Sequence, residues 1–211
     1  TPKPSSAASD VYKRQGKKLL QFDQRSVLGN KGFRLMHRAD LVKILYRSAL
    51  SNKVTFNLGY DADAKSLSNQ YSFVIAADGV HSKTRAFVNP MHSKNRRSDY
   101  FAWRSIVPNT IIHHNGVRLT VAPNKHIVSY PLRGLDQLNL VLIQEAENTE
   151  IFEWGMTERP EELKRLFSEF GGDLREALGS IKNVHRWGLS HNEVPVNWAT
   201  GNVFLIGDAL H

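Results

Sequence analysis

At 211 residues, 41% of them hydrophobic, the chain is long enough for one domain or two small ones built on a real apolar core. It contains no cysteine, which excludes a disulfide scaffold and a thiolate metal site and makes a reducing cytoplasm the expected location. No stretch reaches the roughly 18 consecutive apolar residues of a membrane span, so no stable membrane insertion is expected.

The net charge of +8 raises the question of nucleic acid, but its distribution argues otherwise. The basic patches, Lys13-Arg14 with Lys17-Lys18 and Lys94 with Arg96-Arg97, are short and flanked by polar residues. They are not interleaved with the aromatics that would stack on bases, so a solvated basic face is expected and nucleic acid is not.

In chain order, residues 1–15 show no apolar periodicity and are left out of the expected fold; the string SSAASDVYKRQ resembles a translated library-adapter sequence. Residues 38–50 carry Leu41, Ile44, Leu45 and Ala49 at helical spacing, with Asp40 near the start, where its charge suits the helix dipole. Residues 54–60 and 71–77 read as two strands of a hairpin-like excursion around the polar stretch DADAKSLSNQ, the second ending in Asp78-Gly79. A short helix is expected from Ser82 to residue 88, and a linker over 89–98.

Four β-compatible segments follow, 100–107, 117–121, 125–130 and 138–144, punctuated by Pro108, Gly116, Pro123 and Gly134, which implies an antiparallel sheet. A helix over 160–170 would present Leu163, Leu166, Phe167 and Phe170 on one face. A second helix over 174–181 would be capped by Asp173 after the Gly171-Gly172 stop. A last strand pair, near 184–189 and 203–206, leads into Gly207-Asp208. The fold class is therefore α/β, interrupted by a mostly antiparallel β-sheet with helices, and closed by a strand able to rejoin the first sheet. Boundaries fall near 98 and 196.

Three motifs occur in order: MHRADL at 36–41, ADGVHSKTR at 77–85 and GNVFLIGDALH at 201–211, with WRSIV at 103–107 between the second and third. Each is weak alone, but the ordered set resembles the flavin-dependent aromatic-ring monooxygenases, salicylate and hydroxybenzoate hydroxylases among them. The resemblance implies a partial FAD-binding, Rossmann-like domain over 16–97 that resumes at 196–211, and an inserted substrate domain over 98–195. It implies FAD as cofactor, NADH or NADPH as co-substrate, and O2 with a small phenolic or aromatic-acid substrate; a homodimer is left open.

By the same resemblance Arg38 contacts the flavin near its ribityl chain, and a guanidinium at a helix start offers several fixed donors for that role; the plain alternative is a surface arginine. Asp78, Gly79, Ser82 and Arg85 would help hold the pyrophosphate and are implicated in nicotinamide binding. A glycine after a strand permits close backbone approach, and a helix starting near Ser82 would offer N–H groups to an anion. Asp78 would then act through a water or a cation, or the pair is an ordinary strand-ending turn. Gly207 and Asp208 lie at the carboxyl end of a strand, where open α/β sheets place ligands, and Asp208 would accept from a ribose or ribityl hydroxyl.

The sequence departs from the family at three points. It reads Asp-Ala-Leu-His at 208–211 where the family has Asp-Ala-Ala-His, and the Pro- and Gly-rich helix start that follows in the family does not appear. No G-x-G-x-x-G occurs among the fourteen glycines, so the turn that anchors the ADP half is absent. This stretch alone is not expected to bind FAD tightly or to be active; the full-length protein is.

For chemistry, residues 125–134 place His126, Val128 and Tyr130 on one face of a strand. Some family members use such a His-x-x-x-Tyr pair to orient a phenol and remove its proton, and an imidazole titrating near neutrality suits that transfer. Alternatively, Tyr130 is an amphipathic core residue and His126 an exposed strand-end residue. An epoxidase or quinone-biosynthesis hydroxylase of the same fold is one alternative for the whole, and a noncatalytic remnant or basic binding module another. Trp103 and Arg104 are candidates for the pocket lining, against core and ion-pair readings. No His, Asp or Glu spacing matches a metal site.

Overall fold

The alternating apolar residues of the central segments build one large sheet. A computed structural model describes residues 8–23, 35–90, 96–110, 116–145, 154–157, 159–191 and 195–211. The described strands and helices are β1 (Ala8–Lys13), β2 (Lys18–Asp23), α1 (Arg38–Ser51), α2 (Ala64–Ser68), β3 (Val74–Ala76), α3 (Lys83–Val88), β4 (Arg96–Pro108), β5 (Val117–Ala122), β6 (Lys125–Leu132) and β7 (Gln137–Glu145), followed by β8 (Trp154–Thr157), α4 (Pro160–Leu166), α5 (Asp173–Gly179), β9 (His185–His191), β10 (Ala199–Thr200) and β11 (Val203–Leu205). Eight strands form one sheet in the order β2-β1-β5-β6-β7-β4-β9-β8, and three form another in the order β10-β11-β3. The expected α/β class with a largely antiparallel inserted sheet is the one found.

Two compact units divide the chain, one drawn from residues up to 53 together with 99–188, the other from 54–98 together with 189–211. Residues 16–53, expected to belong with 54–97, therefore sit in the β-rich unit. The reason is local: β1 pairs with β5 in parallel, β2 pairs with β1, and Asp40 in the first turn of α1 accepts from Arg133 Nε at 3.3 Å.

In the β-rich unit, strand alternation sorts the side chains by face. Phe101, Trp103 and Val107 of β4, Ile127 of β6, and Leu138, Leu140 and Leu142 of β7 point to one side. There they meet Leu163, Phe167, Phe170, Leu174, Ala177, Leu178 and Ile181 from the α4 and α5 region. The aromatic residues interlock, with Trp103 edge-on to Phe167 at 5.8 Å between ring centroids and Phe167 at 5.7 Å from Phe170. Phe167 is fully buried, so Phe167→Ala leaves a cavity in this core and is expected to cost about 3–5 kcal/mol. A shift in the urea midpoint measures it; the half-exposed Phe87, replaced in the same way, is the control and should cost under about 1 kcal/mol.

In the second unit β3 and β11 run parallel and bury Ala76, Val88, Val203, Leu205, Ala209 and Leu210. Asn202 fixes the approach to β11 by donating from Nδ2 to the carbonyls of Tyr71 at 2.7 Å and Ser68 at 2.9 Å.

Several local expectations are corrected. Residues 8–13, left out of the fold, form β1 between β2 and β5, with the Tyr12 ring 4.0 Å from the Arg118 guanidinium. A strand hydrogen-bonded on both edges is held by its ladders and needs no apolar stripe of its own. Residues 54–60 form no strand: Val54, Leu58 and Tyr60 are exposed, Gly59 turns the chain at φ +73°, and no hairpin results. The polar stretch that follows contains α2, whose N-cap Asp63 accepts from Ser66 N at 2.8 Å. The strand expected over 71–77 contracts to β3.

The strands near 184–189 and 203–206 do not pair with each other, since β9 belongs to the large sheet and β11 to the small one. Asp173 is the first helical residue of α5, not its cap; its carboxylate accepts from Arg118 Nη1 at 2.6 Å instead. Residues 91–95 of the expected linker lie outside the described residues, and its last residues are the start of β4.

Candidate functional site

Parallel pairing of β3 with β11, Leu205 opposite Ala76, brings the carboxyl ends of the two strands side by side. Ile206 N extends the ladder by donating to Ala76 O at 3.0 Å. The second and third motifs thus come together in one unit: Asp78, Gly79, Ser82 and Arg85 leave β3, and Gly207 and Asp208 leave β11. Gly79 (φ +84°) and Gly207 (φ +57°) both occupy the left-handed region, and no atom lies within 4 Å of the position a Cβ would take at either. These are open backbone turns that a side chain would strain.

Around them the polar groups are tightly committed. The Asp78 carboxylate accepts from Ser82 Oγ at 2.6 Å, from Thr84 Oγ1 at 3.0 Å and from Thr84 N at 3.1 Å. Ser82 Oγ, the N-cap of α3, accepts from Arg85 N at 2.8 Å. Two of the N–H groups at the start of α3, those of Thr84 and Arg85, expected to face an anion, are therefore occupied by the chain's own carboxylate and hydroxyl. Thr84, which the sequence reading left out, is the third member of this cap; its place two residues after the capping serine in the same motif was the available signal.

Partial burial pushes the Asp78 pKa up, but the hydrogen bonds from Ser82 and Thr84 outweigh it and leave the carboxyl below its ordinary 3.8. A depressed folded-state pKa contributes stability at pH above the ordinary value and loses it as pH falls from there through the folded value. Asp78→Asn should therefore flatten the acid limb of the stability curve below about pH 4. Urea titrations at stepped pH test this, and an unchanged limb would remove Asp78 from the account.

Arg85 is 2% exposed. Its Nε donates to Ala209 O at 2.7 Å, its Nη1 to Val80 O at 3.0 Å and its Nη2 to Asp208 O. Burial lowers its pKa, partly offset by the carboxylates of Asp78 and Asp208. The guanidinium ties the turn after β3 to the turn after β11, and so acts as a brace between the two motifs. The Asp208 side chain itself is exposed beside Gly207.

A dinucleotide flavin would find room at the two glycine turns, with Asp208 beside them, rather than at the N–H groups of Thr84 and Arg85, which are bonded within the chain. Asp208 would accept from a hydroxyl of the cofactor, while Gly79 and Gly207 would admit it close to the main chain.

In the β-rich unit, His126, Val128 and Tyr130 share one face of β6, while Ile127 and Ser129, both fully buried, point to the core. The register adds Ile143, Val141 and Asn139 of β7 opposite them and Val121 and Leu119 of β5, so this half-buried face is mainly aliphatic. Burial lowers the His126 pKa from its ordinary 6.5, which keeps the imidazole neutral at neutral pH. Arg38 is the first residue of α1, exposed beside His37, whose Nδ1 caps the helix by accepting from Ala39 N at 3.2 Å. Among the described residues no His, Asp or Glu group could hold a metal ion, and no helix is long and apolar enough to cross a membrane. Trp103 is a core residue.

This chain belongs to the family described as FAD binding domain, which it matches over residues 49–211. Among curated relatives, 3-hydroxybenzoate 6-hydroxylase 2 of Aquipseudomonas alcaligenes is 33% identical over 144 residues, covering 65% of this chain and 43% of that protein. The 3-amino-4-hydroxybenzoate 2-monooxygenase of Streptomyces cremeus is 29% identical over 199 residues, covering 84% and 47%. The chain spans less than half the length of these two relatives. Among solved structures, Klebsiella pneumoniae HpxO in complex with FAD and uric acid aligns with a TM-score of 0.76 at 18% identity, over 99% of this chain and 58% of that one. A salicylate hydroxylase substrate complex aligns with a TM-score of 0.63 at 19% identity, over 83% and 51%. At such identities the likeness is one of fold.

Proposed function

We propose that the whole protein is a cytoplasmic, FAD- and NAD(P)H-dependent monooxygenase that hydroxylates a phenolic ring. In the net reaction one oxygen atom of O2 enters the ring as hydroxyl and the other leaves as water, with NAD(P)H and a proton consumed. When bound, FAD supplies the redox chemistry of oxygen activation. The observation that carries the reading is the pairing of His126 with Tyr130 on one mainly aliphatic, half-buried face of β6, in a chain of an FAD-binding family with hydroxybenzoate hydroxylases among its relatives.

On this reading the aliphatic side chains of the face hold the aromatic ring and exclude water, Tyr130 orients the phenol hydroxyl, and an imidazole nitrogen of His126 takes its proton. Removal of that proton makes the ring a far better nucleophile. Asp78, Ser82 and Arg85 set the shape of the cofactor-facing turns, and Gly79, Gly207 and Asp208 meet the cofactor. The test is oxidation of NADH and of NADPH by the full-length, FAD-loaded protein, with and without phenolic acids and neutral phenols. Stimulation by a phenol with a product 16 mass units heavier is expected (one oxygen atom, about 16 Da, inserted by the flavin). Oxidation that no phenol stimulates would sink the proposal.

A further inference from the structure

Arg104 lies on the opposite face of β4 from Trp103, and the strand register fixes its company. It stands opposite Val141 of β7, and Val141 stands opposite Val128 of β6. Arg104, Val141 and Val128 therefore form one row across three neighbouring strands on the same side of the sheet, with His126 and Tyr130 two residues to either side of Val128. Adjacent strands are about 4.8 Å apart, so the Arg104 backbone is roughly 10 Å from that of Val128. A fully extended arginine can carry its guanidinium over β7 toward the space between His126 and Tyr130.

Among the described residues the setting gives this cation nothing anionic to hold. Its neighbours on the face are Ala102 and Ile106 on its own strand and Val141, Asn139 and Ile143 on β7. The nearest acidic residue on this face of β7 is Glu145 at the end of the strand, four positions from Val141. On the other side β9, HRWGLSH, contains no acid. Arg104 is exposed, and among the described residues it takes part in no ion pair, in contrast to Arg14, Arg118 and Arg133. A guanidinium covered by an apolar ligand without a counter-charge is costly, whereas a planar carboxylate satisfies it with two parallel hydrogen bonds.

We infer that Arg104 is a specificity-determining residue that binds the carboxylate of an aromatic-acid substrate, whose ring lies over Val141 and Val128 with its phenol hydroxyl toward His126 and Tyr130. The inference rests on the hydroxylase reading of this face, and goes beyond it by selecting acids over neutral phenols.

The experiment titrates 3-hydroxybenzoate and 3-hydroxybenzamide, alike in ring and phenol but differing in charge, into the full-length FAD-loaded protein by calorimetry, for wild type, Arg104→Met and Arg104→Lys. Wild type should prefer the carboxylate. Arg104→Met should weaken carboxylate binding about 10- to 100-fold and leave amide binding within about twofold, while Arg104→Lys recovers part of the loss because it restores charge without the fork. Equal weakening of both ligands, or of neither, overturns the inference. So does a wild type that binds the amide as well as the acid. A wild type that hydroxylates neutral phenols and ignores acids sinks this inference alone; one that no phenol stimulates sinks the hydroxylase reading with it.

Discussion

Arg85→Met is expected to destabilise the smaller unit by about 3–5 kcal/mol and to weaken FAD binding by the full-length protein more than tenfold. The arginine donates to three backbone carbonyls, those of Val80, Asp208 and Ala209, from a position 2% exposed. Methionine fills much of the same volume but donates nothing, so buried acceptors lose partners at about 1–3 kcal/mol each. The second effect follows from the first, because the turn carrying Gly207 and Asp208 is held to the turn carrying Gly79 through this one side chain. Arg85→Lys should recover only a fraction, since an ammonium cannot span the three carbonyls in the same fork. Urea unfolding with and without FAD measures both effects; a loss below about 1 kcal/mol would show that the brace is dispensable.

His126→Ala is expected to lower kcat on a phenolic substrate by about 10²–10⁴-fold, the range a positioned general base contributes. Its pH signature separates this from loss of packing. The base must be unprotonated, and burial lowers the His126 pKa below 6.5, so the rate should be level across neutral pH and decline as the medium becomes more acidic than that. The decline should vanish in the alanine variant. Tyr130→Phe retains the ring and removes the hydroxyl, so a smaller fall, carried mostly by kcat, is expected from lost orientation. If the double variant keeps activity within about tenfold of wild type, no phenol proton is being moved and epoxidation of an alkene becomes the better account.

Much of this was legible in the sequence where local rules and tertiary packing agree. The alternation in 125–130 and 138–144 and the apolar spacing of Leu163, Phe167 and Phe170 survive because one face of each element meets the same core. The motif residues were found because a strand ending in Asp-Gly or Gly-Asp is a short, local signature. What failed was decided by distant partners. Residues 8–13 become a strand because β5 lies beside them, a pairing that no window of sequence contains, and residues 54–60 look like a strand yet have no neighbour to pair with among the described residues.

The roles within the second motif were hidden for a related reason. The spacing of Asp78, Ser82 and Thr84 suits either an anion cradle or a self-contained cap, and only the hydrogen bonds distinguish them. Arg104 reads from the sequence as either a pocket-lining residue or a member of a surface ion pair, and it is the register that sets it on the face of His126.

Arg85 and its acceptor at Ala209 are 124 residues apart in the chain, and β3 meets β11 across the same interval. Within the described residues most of the larger sheet, with α4 and α5, is strung between them. During synthesis the ribosome must therefore deliver that entire insert before the smaller sheet can close. Until then β3 waits with an unpaired edge and with Ala76 and Val74, which pack in the small core once β11 arrives, uncovered, the kind of long-range β-pairing that folds slowly and invites association with other chains. Premature termination before β11 would leave the larger sheet's strands in hand and the smaller unit without its central strand, so protease sensitivity confined to 54–98 is the mark such nascent chains should carry.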